Sequence, residues 1–271
     1  MISVRAPAVA GMFYPGDGPG LRQLLAACFQ AARPEDAPLR PKALVVPHAG
    51  YIYSGPVAAS AYRLLEPWRR VIRRVVLLGP VHRVWVAGLA LPGVDAFDTP
   101  LGRVPLDQAA IDRIADLPQV AVSPPAHAQE HSLEVHLPFL QRVLDDFSLV
   151  PLVVGAAAPE AVAQVLDRLW GSEETLIVVS SDLSHFLGYE QAARQDAATA
   201  RAILRLDAHL DGEQACGAHP VNGLLLAARR RGLTPHLLDL RNSGDTAGDR
   251  SRVVGYGAFA FTEPETDHET A

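Results

Sequence analysis

Histidine is the residue through which this chain offers most chemistry: 10 occur among 271 residues, and their placement is uneven. Three apolar runs each end in a histidine-bearing loop. ALVVP leads to His48, RVVLLGPV to His82 and LIVVSSDLS to His185. Ligands of open α/β sheets bind beyond the carboxyl ends of the strands, where residues remote in sequence meet. Three imidazoles there are read as a metal or acid/base site, since imidazole both ligates transition metals and titrates near neutral pH. Pro47, Gly50 and Gly55 around His48, like Gly79 and Pro80 before His82, are expected to form tight turns that let backbone approach a ligand. Asp182, just upstream of His185 in SSDLSHF, is expected to orient that imidazole.

Two further stretches concentrate ligating side chains. EHSLEVHLPFLQ carries Glu130, His131, Glu134 and His136 at the start of an expected helix that begins or kinks at Pro138. With His127 it completes HAQEH, a match to the H-x-x-E-H pattern in which two histidines on one helical face bind zinc and the glutamate is the general base of a metallopeptidase. Pro124 and Pro125 set His127 at or before the helix start, which disfavours that reading. CGAHPVNG carries Cys216 and His219 just before a helix, where the helix dipole or a metal ion stabilises a thiolate. Cys28 falls on the apolar face of the first helix beside Leu24 and Leu25 and reads as core.

The elements that must position these residues are legible as runs. Ala43–Val46, Val75–Leu78, Leu149–Val154 and Leu176–Val179 are continuous apolar stretches without alternation, the pattern of strands buried on both faces. Helical stretches lie between them: Leu21–Ala32, Val57–Leu65, Leu106–Ala115, Glu160–Trp170, Tyr189–Leu206 and Val221–Arg231. The alternation predicts an α/β fold whose central sheet is mostly parallel and covered by helices on both faces. Leu237–Leu240 and Val253–Phe261 flank the turn-rich RNSGDTAGDRS and predict an antiparallel margin. With no linker or internal repeat, a single domain is expected over 1–262, followed by a frayed acidic tail over 263–271.

Composition removes several function classes. The 24 Lys and Arg against 30 Asp and Glu leave a net charge of -6, so no basic field attracts nucleic acid or acidic membranes. Lys42 is the only lysine, there is no GxxxxGK[ST], and a Schiff-base enzyme would have to use that one side chain. Two cysteines without a CxxC pair make neither a disulfide framework nor a zinc ribbon. No signal peptide or membrane span is recognisable, so a cytoplasmic protein is expected.

Eight blocks in order, RAPAVAGMFYPGD, VVPHAGYIYSGPVAASAY, LLGPVHR, FDTPLGRVPLD, EHSLEVHLPFLQ, SSDLSHF, CGAHPVNGLLLAA and SGDTAGDRSRVVGYGAFAF, resemble the successive motifs of the Memo family, called AmmeMemoRadiSam system protein B in prokaryotes. The resemblance runs from about Arg5 to Phe261. It implies a fold similar to class III extradiol ring-cleaving dioxygenases and a metal held by His48, His82 and Cys216. It also carries the pocket residues Asp182 and His185, the latter being the acid/base catalyst in the related dioxygenases. Their third ligand is a carboxylate, whereas a set of two histidines and one cysteine is softer and suits copper as well as Fe(II). Fold likeness alone does not establish ring cleavage. The function implied is an iron- or copper-dependent, oxygen-using oxidoreductase acting on a small aromatic or carbonyl-bearing substrate. Tyr51, Tyr53, Glu130, His131, His136 and His219 are expected to line or brace its pocket. The alternatives are a non-catalytic adaptor or metal-carrying subunit that presents the same cleft to a peptide or partner protein, and the H-x-x-E-H zinc peptidase. Prokaryotic members occur with a radical-SAM protein and an AMMECR-family protein, which are the implied partners. Eukaryotic members are described as binding phosphotyrosine peptides, but Phe13 stands where their pattern has tryptophan and Ser184 where cysteine is frequent, which weighs against that role here.

Overall fold

Aliphatic runs bounded by proline and glycine become the strands, and the amphipathic stretches between them become the covering helices. A computed structural model describes residues 2–33 and 39–264. In chain order the strands and helices are β1 (Val4–Arg5), α1 (Gly18–Ala31), β2 (Pro41–Val46), α2 (Tyr51–Tyr62), β3 (Arg74–Pro80), β4 (Leu89–Leu91), β5 (Ala96–Thr99), β6 (Gly102–Pro105), α3 (Gln108–Asp112), β7 (Val120–Val122) and α4 (Pro124–Ala128). They continue as α5 (Leu137–Val143), β8 (Ser148–Val154), α6 (Pro159–Leu169), β9 (Thr175–Ser180), β10 (His185–Leu187), α7 (Tyr189–Leu204), α8 (Ala218–Arg231), β11 (Thr234–Asn242), α9 (Ser243–Thr246) and β12 (Val253–Thr262).

The expected α/β architecture is the one observed. β2, β9, β3 and β8 lie side by side in parallel at the centre of the main sheet. β12 joins β2 antiparallel and carries β11 and β10, which is the antiparallel margin expected from the last two apolar runs. The opposite margin is mixed as well, since β4 runs antiparallel to β8 and parallel to β7. A separate three-stranded sheet of β1, β5 and β6 was not legible in the sequence, because its strands are only two to four residues long.

Each central strand feeds two apolar layers. Leu44, Val46, Val75, Leu77, Leu176 and Val178 enter one layer with α1, α2 and α5, while Ala43, Val45, Val76, Leu78, Ile177 and Val179 enter the other with α6 and α8. That is why these strands show no polar alternation. Each fully buried valine or leucine contributes about 1.5–3 kcal/mol of transfer free energy.

Local chemistry moves several boundaries. α2 starts six residues before the expected Val57, because Pro56 is tolerated inside the helix. Gly55, expected to shape a ligand turn, lies within α2 and faces α1: a Cβ there would meet Cys28 Sγ at 2.5 Å. It serves close helix packing. Of the expected acidic tail, residues 265–271 lie outside the described residues.

Candidate metal centre

The parallel register of β2 and β9 pairs Val46 with Ser180, so the loops leaving these strands run together. The Ser181 N–H donates to the Val46 carbonyl, continuing the ladder past the strand ends. His48 is then held twice. Its backbone N–H donates to Asp182 Oδ1 at 2.8 Å, and its Nδ1 lies 2.6 Å from Ser180 Oγ. The ring is buried, leaving Nε2 as its remaining ligating atom.

His82 leaves β3 and meets Glu130. The carboxylate accepts from the His82 backbone N–H at 2.6 Å and lies 2.8 Å from its Nδ1. The same carboxylate accepts from the backbone N–H groups of His131 and Ser132. Burial pushes the Glu130 carboxyl up, but the His82 hydrogen bond and charge, with the N–H donors of Ser132 and His82, outweigh it and hold it down at about 2. Glu130 is therefore an ionised brace, and a carboxylate on Nδ1 directs the other imidazole nitrogen toward a metal.

The segment bearing Glu130 is tied down from two sides. Ser132 Oγ donates to the Pro80 carbonyl, and this approach leaves no room for a side chain at position 79, where a Cβ would stand 2.8 Å from Ser132 Oγ. Arg5, delivered by β1, donates to the carbonyls of His127 and Glu130 and forms a buried ion pair with Glu134 at 2.8 Å. Glu134 in turn accepts from the N–H groups of Ala8 and Val9 and from the Tyr14 hydroxyl.

These supports bring three imidazoles together: His48, His82 and His131 present ligating atoms that all lie within 4.8 Å of one another. The His82 and His131 rings stack with centroids 4.7 Å apart, and both meet the His48 ring edge-on. Burial is the main cause that lowers the His48 and His131 pKa, His131 to about 4, so both are neutral at pH 7 with lone pairs available. Such a trio can hold a metal ion. Beside it, Cys216 Sγ lies 3.4 Å from His48 Nε2 and accepts from the Asp182 N–H at 3.3 Å. Burial first, then the Asp182 charge, pushes the Cys216 thiol up to about 12. The thiol is protonated in the metal-free protein.

A cleft of about 520 Å³ opens onto this centre. Phe13, Tyr53, Phe186 and Tyr256 form its aromatic walls, His131 and Asp182 reach its floor, and Arg252 stands at its rim. Burial raises Asp182 to about 7 against the opposing His48 N–H, His82 charge and Ala49 N–H. Phe186 adopts φ 60° although it is not glycine, and the Arg252 guanidinium lies 5.1 Å from its ring centroid. Backbone strain of this kind gathers at ligand sites.

A sequence profile of a family described as "Memo-like protein" matches residues 5–260. The chain belongs to the Memo family. Among relatives named MEMO1 family protein, one from Aquifex aeolicus is 38% identical, with 95% of this chain and 99% of the relative covered. Another, from Ignicoccus hospitalis, is 37% identical over 96% of this chain and 99% of the relative. The crystal structure of the uncharacterized protein JW3007 from Escherichia coli K12 is similar with a TM-score of 0.51 at 16% identity, over 80% of this chain and 99% of that one. That likeness speaks to the fold.

Against the expectations for a Memo protein, the site keeps some residues and displaces others. His48 lies beside both His82 and Cys216, but the imidazole that completes the mutually close trio is His131, which was expected only to line the pocket. Glu130, expected to line or brace the pocket, contacts His82. Asp182 spends its carboxylate on the His48 backbone and lies 4.0 Å from His48 Nε2, in place of the expected contact with His185. His185 sits at the start of β10, half-buried. Burial lowers its pKa, opposed by the Leu183 backbone and assisted by the His82 charge.

Tyr53 lines the cleft, whereas Tyr51 points into the core, where its hydroxyl donates to the Val135 carbonyl at 2.6 Å and its ring packs on Phe139. His136 is fully enclosed between Ser180 and Tyr62, behind the centre and away from the cleft. His219 Nδ1 lies 2.9 Å from the Ala157 carbonyl. The HAQEH match does not form a zinc site: α4 ends at Ala128, and His127 Nε2 donates to the Ala90 carbonyl at 2.7 Å with its ring against Phe97, so it does not share a helical face with His131. Ser180, Arg5, Phe186 and Arg252 lie inside the quoted blocks, but their residue types gave no reason to single them out. Each matters through a contact made far along the chain.

Proposed function

We propose that this Memo protein is a metal-dependent redox enzyme, holding iron or copper at His48 and His82 with His131 and Cys216 beside them, and acting with oxygen on a small substrate in the adjoining cleft. The observation that carries the reading is the meeting of three imidazoles and a thiol beside an aromatic-walled cleft that His131 lines. Such a mixed nitrogen and sulfur donor set suits iron and copper better than magnesium or calcium. When bound, the ion supplies Lewis acidity and a one-electron couple.

The chain's own residues do the rest. Phe13, Tyr53, Phe186 and Tyr256 exclude water from a flat apolar body, and Arg252 offers a cation to its polar end. Asp182, with its carboxyl raised to about 7, exchanges a proton at the cleft floor near neutral pH. His185, lowered by burial, is a neutral base at the start of β10, next to the cleft residue Phe186. A second reading is an adaptor or metal-carrying subunit serving a radical-SAM protein or an AMMECR-family protein. It is favoured by the exposed Met12, Ile52, Trp85 and Phe186, which lie in segments next to the centre. No helix among the described residues is long and apolar enough to cross a membrane.

The test is anaerobic purification with elemental analysis, then oxygen-uptake screening against phenols, catechols and indoles. Stoichiometric iron or copper that is lost in both His48→Ala and His82→Ala is expected, with uptake on at least one substrate class. Retention of metal by both variants overturns the centre. Bound metal with no uptake on any class moves support to the adaptor.

A further inference from the structure

Ser180 Oγ sits among three partners: His48 Nδ1 at 2.6 Å, His136 Nε2 at 2.8 Å and the Ser132 carbonyl oxygen at 2.7 Å. A serine hydroxyl has one proton and two acceptor lone pairs. The carbonyl can only accept, so it takes that proton, and both imidazoles must donate to Ser180. His136, donating through Nε2, keeps a lone pair on Nδ1, and the Tyr62 hydroxyl 2.8 Å away donates to it. All of these side chains are buried. The donors and acceptors match with none left over, and reversing one member would leave a buried polar group unpaired at a cost of about 1–3 kcal/mol.

We propose that Ser180, His136 and Tyr62 are positioning residues that form a tautomer lock: they hold His48 as the Nδ1–H imidazole and so present its Nε2 lone pair to the metal centre. The inference rests on the metal-centre reading for its purpose, but the lock is a property of the metal-free protein. Tyr62 ends the chain inside the core, stacked on Phe139 with ring centroids 5.2 Å apart, so the series orients an imidazole and does not conduct protons to solvent. His48 Nε2 faces Cys216 Sγ, the group with which it would share an ion. In the opposite tautomer a proton would occupy that nitrogen and prevent coordination. The centre thus braces its two strand-end histidines differently, His82 by the ionised Glu130 and His48 by a neutral hydroxyl that adds no charge.

The lock is tested on the full chain by two measurements. One is the ¹⁵N spectrum of histidine-labelled, metal-free protein at pH 7.5, which separates protonated from unprotonated ring nitrogens. The other is Co(II) affinity from optical titration. Wild type is expected to show His48 protonated at Nδ1 and His136 at Nε2. Ser180→Ala should shift His48 toward Nε2–H and weaken Co(II) binding by about 10- to 100-fold, the range for outer-shell partners of metal ligands. Tyr62→Phe keeps the core shape and removes only the hydroxyl, and should redistribute the His136 signals with a smaller loss of affinity. A wild-type His48 protonated at Nε2 overturns the proposal. So does a folded Ser180→Ala with unchanged tautomer and affinity, or, where that variant does not fold, Tyr62→Phe with unchanged His136 and His48 signals. If wild type binds no Co(II) but shows the expected tautomers, the metal-centre reading falls and the lock stands.

Discussion

Cys216 Sγ lies 3.4 Å from His48 Nε2, and the two residues are 168 positions apart in the chain. Because the thiol is held up at about 12 while His48 and His131 are kept neutral, the cysteine must give up a proton to become a ligand and those two imidazoles need not. Calorimetry of Co(II) binding at pH 8.5 in buffers of different ionisation enthalpy is expected to report about one more proton released by wild type than by Cys216→Ser. Equal release would restrict the ligand set to the three imidazoles.

Glu130 contacts His82 through both its backbone N–H and its ring, and carries the turn to His131 as well. Glu130→Gln retains the size and removes the charge. Metal affinity should fall by about 10- to 100-fold, and thermal unfolding of the metal-free protein should also come earlier, because both carboxylate oxygens accept from N–H groups and the amide nitrogen cannot. Undiminished affinity would make the carboxylate a folding element only.

His127 gives a pH signature separate from the metal centre. Burial lowers it to about 4, with the Ala90 carbonyl opposing and the Arg5 charge assisting, against 6.5 in the unfolded chain. The unfolded state therefore binds the extra proton between these values, and stability falls as pH drops from about 6.5 toward 4. Between pH 7 and pH 5 this one group should cost about 2 kcal/mol. Urea unfolding of His127→Gln, whose amide can still donate to Ala90, should show a drop smaller by about that amount, with metal content intact. Loss of metal in this variant would revive the peptidase motif.

Phe186 pays a conformational penalty in the left-handed region while 61% exposed. Phe186→Gly relieves the strain and forfeits the Arg252 stacking and the edge contact with the His185 ring, both made by an exposed side chain, so a gain of about 0.5–1 kcal/mol in unfolding free energy is expected, accompanied by weaker ligand binding in the cleft. Destabilisation would show that the ring packs more than its exposure suggests.

His185→Ala separates acid/base chemistry from metal binding. Metal affinity should stay within about tenfold while turnover on any substrate found falls by about 10²- to 10⁴-fold. Unchanged turnover would make His185 structural.

The sequence by itself determined the layout. Fully apolar runs with helices between them dictate a parallel sheet buried on both faces, and loops at the carboxyl ends of such strands must gather, which placed His48, His82, Asp182 and His185 at one edge. Hydrophobic patterning is local, so these features are readable along the chain. What only the tertiary structure decided is which atoms meet. His131 comes to the centre because Ser132 is anchored on Pro80 and Glu130 on His82. Tyr51 turns inward at the start of α2 while Tyr53 turns to the cleft, since residues two apart on a helix face different sides. Ser180 is an ordinary strand end until the β2/β9 register sets it beside His48. Side-chain direction and long-range register depend on packing between distant segments, and no spacing within one segment encodes them.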